Sequence, residues 1–187
     1  MALLCFMNAW ELEQAHRVGR EVQRLRKLPD RNWSAQQLAE RTDKLGLKMT
    51  RQAISDLENG RRRYITTAEL IVLAAALNTS PVALAYPGPY NQQVEILPGK
   101  ETTEYDAAQW FSGNGYWRLI QPADEELESA KQWGDSLDAL HGWRRLYDFE
   151  MQKARLMAQA DFERTGPLIE SLDNAIRDIQ RRLGIDA

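Results

Sequence analysis

The sequence predicts an all-α chain made of three parts: an N-terminal five-helix domain, an aromatic connecting segment, and a C-terminal long-helix hairpin or coiled coil. Three observations predict it. Five short helices with independent start signals fit into fewer than 80 residues; Pro87-Gly-Pro89 then interrupts the chain; and beyond Pro122 apolar residues recur at 3-4 spacing. That spacing marks one face of a helix. The expected segments are 10–88, 89–121 and 122–187.

The first helix spans 10–27. Val18, Val22 and Leu25 share a face, Arg17, Arg20, Arg24, Arg26 and Lys27 ring the rest, and Pro29-Asp30 ends it. Ser34 opens the second helix as a capping box with Gln37, and Leu38 and Ala39 form its inner face. Thr50 caps the third, with Met49 and Ile54 placed as a hydrophobic staple. Ile54 and Leu57 face inward, and Asn59-Gly60 stops the helix because glycine accepts the left-handed conformation. Thr66 and Glu69 make a second capping box before Leu70, Ile71, Leu73, Ala74 and Leu77. Ser80-Pro81 starts a fifth helix through Ala85, with proline at the first helical position.

Within the connecting segment, 94–97 reads as a short strand and 103–111 as a short helix ended by Ser112-Gly-Asn-Gly115. Trp110, Phe111, Tyr116 and Trp117 make it too aromatic for a free linker, so it is expected to pack on a surface, its own or a partner subunit's. From Pro122 to Glu163 the pattern is helical, with Asp124-Glu-Glu126 suiting a helix N-terminus. Gly166-Pro167 is expected to break it, before a last helix marked by Leu168, Leu172, Ala175, Ile176, Ile179 and Leu183. Ala130, Trp133, Leu137, Leu140, Tyr147, Met151 and Ala154 resemble a coiled-coil seam interrupted by Arg144, and Trp143, Leu146, Phe149 and Leu156 add a second stripe. Two arrangements fit: an intrachain hairpin, or a dimer of two hairpins. So broad a stripe needs several partners, which favours a homodimer with Trp133, Leu137, Leu140, Tyr147 and Met151 at its interface.

The net charge of −3 conceals an asymmetry. Residues 1–90 carry 13 Lys/Arg against 9 Asp/Glu, a balance of +4, and residues 91–187 carry 11 against 18, a balance of −7. A basic half beside an acidic half points to an anionic partner for the first. Cys5 stands alone, which excludes an internal disulfide and a cysteine metal cage and fits a reducing cytoplasm. The apolar opening lacks a basic n-region and makes a poor signal peptide; Met7 would serve as a start as well as Met1. No apolar run approaches the roughly 20 residues that span a bilayer. His16 and His141 stand apart from any second ligand or nucleophile, and no phosphate-cradling glycine loop, zinc spacing or nucleophile elbow is present. No catalytic residue, metal or cofactor is expected, and no small-molecule effector is named.

Two helices joined by a turn, the second polar along its exposed side, form a helix-turn-helix arrangement. The major groove of DNA admits one α-helix, whose N-terminal side chains meet base edges. Arg51 can pair with guanine and Gln52 with adenine, and Ser55 lies one turn on. Ser34, Gln36 and Gln37 add donors to the free amides of the second helix's first turn, and Thr50 caps the third. Arg61, Arg62 and Arg63 follow the third helix, where a phosphate backbone would run, and Lys48 precedes it. Residues 18–26, 33–39 and 50–60 together resemble the Cro/C1-type helix-turn-helix domain of phage repressors and bacterial transcriptional regulators, over roughly 12–86. The resemblance implies base-facing roles for Arg51, Gln52 and Asp56, a phosphate-side start of helix 2 at Ser34 and Ala35, and backbone contacts from Asn59 and Arg61. Asp56 is equally placed to accept from cytosine or to pair within its helix. The turn at 42–48 is several residues longer than the family's usual one, and Ala35 replaces a commonly polar residue. The expected function is a sequence-specific regulator, most simply a repressor holding double-stranded operator DNA as a homodimer. The alternative is an antitoxin-like or adaptor module acting through its acidic C-terminal helices.

Overall fold

Each of the helix-start signals in the N-terminal half opens a helix in the computed structural model, which describes residues 2–116, 126–159 and 162–185. The chain divides into two units, Met1–Leu119 and Ile120–Ala187. Trp117, the helix start expected at Pro122 and the acidic pair Asp124-Glu125 lie outside the described residues.

In the first unit, α1 (Ala2–Arg26) starts earlier than its amphipathic face implies, because residues 2–9 contain neither glycine nor proline to stop it. Helices α2 (Ala35–Lys44), α3 (Arg51–Glu58), α4 (Thr67–Ala76) and α5 (Pro81–Ala85) follow. The side chains of Ser34, Thr50, Thr66 and Ser80 accept hydrogen bonds from the amides of Gln37, Ala53, Glu69 and Ala83. Gln37 and Glu69 complete both capping boxes. Each such cap is worth about 1 kcal/mol. The inward faces then meet in one core that includes Val22, Leu38, Ile54, Leu73, Leu77 and Leu84. Burying each of these side chains contributes about 1.5–3 kcal/mol.

Strands β1 (Gln93–Leu97) and β2 (Lys100–Thr103) pair antiparallel, and α6 (Glu104–Phe111) follows directly. Ile96, Ala107 and Ala108 pack on Ala85 and Tyr86, and the Trp10 indole N–H donates to the Glu95 carbonyl at 3.0 Å. The aromatic segment therefore rests on its own chain.

The second unit contains α7 (Glu126–Ser136), α8 (Asp138–Ala158) and α9 (Phe162–Leu183). Two expectations are corrected here. The long helix is broken at Leu137: Gly134 and Ser136 weaken its last turn, and the Ser136 hydroxyl bonds the Trp133 carbonyl. Leu137 is thus a corner residue and no step in a continuous seam. Gly166-Pro167 does not separate the last two helices, because Pro167 lies inside α9 near its start. A proline inside a helix costs about 3 kcal/mol; the packing of α9 on α8 through Leu146, Ile176 and Ile179, with Phe149 and Leu183 beside them, offsets it. Lys153 and Asp173 tie the same two helices at 2.5 Å. Leu146 and Phe149 of the second apolar stripe therefore supply the intrachain hairpin, while its Trp143 stays exposed on α8 with Leu140, Tyr147 and Met151. Among the described residues no helix is long and apolar enough to cross a membrane.

Candidate DNA-binding surface

Helix α3 has only eight residues and would not hold its place unaided. It is held by α1. Gly19 lets the two backbones touch, since a Cβ built there would sit 2.2 Å from the Leu57 carbonyl oxygen. The Arg26 guanidinium binds both Glu58 oxygens, at 2.7 and 2.6 Å, and also donates to the Trp33 carbonyl. Both side chains are nearly sealed from water, at 9% and 4% exposure. His16 Nε2 lies 2.8 Å from the Gly60 carbonyl just beyond α3. Gly60 itself has φ +67°, the left-handed conformation expected of a residue that ends a helix.

The long connection from α2 to α3 is organised by a buried hydroxyl. Thr42 donates to the Ala39 carbonyl at 2.8 Å and accepts from the Met49 amide at 3.2 Å. Gly46 turns the chain at φ +90°. Met49 and Ile54 both reach the core, as a staple requires. The added residues are therefore absorbed in a fixed turn, with Lys48 exposed on it.

On the outer side, Arg51 and Gln52 occupy the first turn of α3 and are exposed. Arg51 lines a cleft of about 310 Å³ between α2 and α3, with Gln36, Glu40, Lys48 and Thr50. Asp56 and Ser55 are half-buried; Asp56 accepts from Gln52 at 2.9 Å and from Arg61 at 3.4 Å. Asn59 is fixed by its amide donating to the Ser55 carbonyl at 2.7 Å. Ser34 and Gln37 spend one oxygen each on the capping box, and Gln36 donates to Glu40.

The three arginines after α3 differ. Arg61 is exposed, and Arg63 is exposed with a long contact of 3.9 Å to Glu11. Arg62 is turned inward, where it grips both oxygens of Glu69 at 2.7 and 3.0 Å. Donating to the Glu69 carboxylate raises the Arg62 pKa above its ordinary value. For Glu69, burial alone would raise the pKa; hydrogen bonds from Arg62 and Thr66 outweigh it and hold the carboxyl below the usual range. Arg62 thus anchors the loop to the start of α4.

Sequence reasoning missed Thr42, Glu58 and the role of Arg26. Gly19 did carry a signal, since glycine inside a helical pattern marks a close approach.

Residues 22–84 match the family model described as helix-turn-helix. They form a Cro/C1-type helix-turn-helix domain. The match starts inside α1 and stops in α5, so the α2–α3 pair and the arginine loop lie within it. No curated protein and no solved structure matches the chain. The helix-turn-helix domain supports a DNA-binding transcription regulator.

Proposed function

We propose that the protein is a repressor that occupies operator DNA as a homodimer, with α3 in the major groove. The carrying observation is the pairing of exposed Arg51 and Gln52, at the first turn of α3, with the sealed Arg26–Glu58 brace behind it. Side chains at a helix N-terminus meet base edges only when the helix is held at a set angle.

Arg51, Gln52 and Ser55 face bases in this reading. Asp56 joins them only if it gives up its bonds to Gln52 and Arg61. The amides at the start of α2 and the donors of Gln36, Gln37, Lys48, Thr50, Arg61 and Arg63 meet phosphates. Asn59 and Arg62 act chiefly by fixing the backbone that carries their neighbours.

A second copy of the chain covers the exposed α8 stripe of Leu140, Tyr147 and Met151, with Trp133 and Leu137 near its end. Pairing two half-site readers raises affinity through effective concentration. The test is a gel shift of full-length protein on DNA upstream of its own gene, across salt concentrations. A sequence-selective shift that weakens as salt rises supports the reading. Equal binding to all DNA, or none, overturns it. Sedimentation of the same sample as a monomer at micromolar concentration overturns the dimer.

A further inference from the structure

A polar cavity of about 450 Å³ lies between α1 and the β-hairpin, away from α3. Three arginines and four glutamates are among the residues that line it. Most of these charges are already answered. Arg20 pairs with Glu13 at 2.8 Å, Arg24 holds both oxygens of Glu21 at 2.7 Å, and Glu95 accepts from the Gly99 amide at 2.5 Å.

Arg17 is the exception. It is only 6% exposed, yet its Nε and Nη2 atoms are buried without a hydrogen-bond partner. Its guanidinium stacks over the Tyr86 ring at 5.0 Å, an interaction that leaves the N–H donors unused. Glu104, 5% exposed, also lines the cavity; its Oε1 accepts from the Gly88 amide at 3.1 Å. Burial lowers the Arg17 pKa, and Glu104 opposes this through space without bonding Arg17. A buried donor with no acceptor is costly, and Arg17 is among the residues that line the cavity.

We propose that this cavity binds a small zwitterion of amino-acid size, its carboxylate on Arg17 and its ammonium toward Glu104. A simple anion fits worse, because it would satisfy Arg17 while sitting near Glu95 and Glu104, the two lining carboxylates that no arginine pairs. A zwitterion supplies an acceptor to the one and donors to the other, and the volume falls within the range of small-molecule sites. The same α1 that carries Arg17 touches α3 through Gly19 and Arg26, and the Gly60 carbonyl beyond it through His16. Occupancy would therefore alter how firmly α3 is held, a consequence that rests on the DNA-binding reading above.

The experiment is calorimetric titration of the full chain, without DNA, using the twenty L-amino acids and Gly-Gly, with acetate, methylammonium and inorganic phosphate as controls. At least one zwitterion should bind saturably at one per chain, the controls should not, and Glu104→Gln and Arg17→Met should each weaken binding at least tenfold. Circular dichroism checks both folds, and Glu104→Gln decides alone if Arg17→Met unfolds. No zwitterion binding, acetate or phosphate binding equally well, or full affinity in Glu104→Gln overturns the site. A ligand that binds but leaves DNA affinity unchanged overturns the coupling to α3 and leaves the site standing.

Discussion

Arg26 and Glu58 illustrate how a residue can matter to DNA binding without reaching the DNA. Buried charges are costly to bring out of water, and their pairing repays this only with close geometry. Removing one partner strands the other. Arg26→Met or Glu58→Gln should therefore destabilise the domain by about 3–5 kcal/mol. A double-mutant cycle by urea denaturation checks it: the double variant should cost well under the sum of the two singles. Glu69 makes a pH prediction. Its carboxyl is held below the usual range, so its stabilisation is present above the ordinary carboxylate pKa of about 4.3 and is lost as pH falls through the lower folded value. Glu69→Gln should lower stability at neutral pH and lessen the loss in acid, as read from melting temperatures between pH 7 and pH 3. An acid limb as steep as that of the parent protein would contradict the assignment.

For elements, local signals decided the outcome where side chain and backbone meet within one turn. Ser34, Thr50, Thr66 and Ser80 each announce their helix because a cap needs only its next three residues. The 103–111 helix was legible for the same reason, since Thr103 accepts from the Asp106 amide. Pro167 was misjudged because packing of α9 on α8 outweighs its local cost, and Leu137 because the apolar period runs on past the weak turn at Gly134 and Ser136. The candidate site was legible in its exposed donors, Arg51 and Gln52, but not in its supports: Arg26 and Glu58 lie 32 residues apart in sequence. Gly19→Ala tests the contact between α1 and α3. A Cβ there collides with backbone, so α1 must move off α3, and a cost of about 1–3 kcal/mol should outweigh the gain of up to about 1 kcal/mol in helix propensity. Thermal unfolding reads the sign, and a rise in stability would contradict the close approach.

At the scale of the whole molecule, the asymmetry of charge and the asymmetry of structure coincide. The helix-turn-helix domain carries the basic surface, and the acidic second unit exposes an apolar stripe with Tyr147 63% exposed. Tyr147→Glu with Met151→Glu should convert a dimer to a folded monomer by sedimentation and weaken binding to a two-half-site operator by a factor of order 10². Single half-site binding should be unchanged. The most direct test of the central claim is selection of DNA from a random pool by full-length protein, followed by affinity measurement for the parent and Arg51→Ala on selected and random duplexes. The account predicts selected half-sites about 10 base pairs apart or a multiple of it, and a loss of about 1–3 kcal/mol for Arg51→Ala on the selected site, with preference relaxed at one base pair. Equal weakening on selected and random DNA would contradict it.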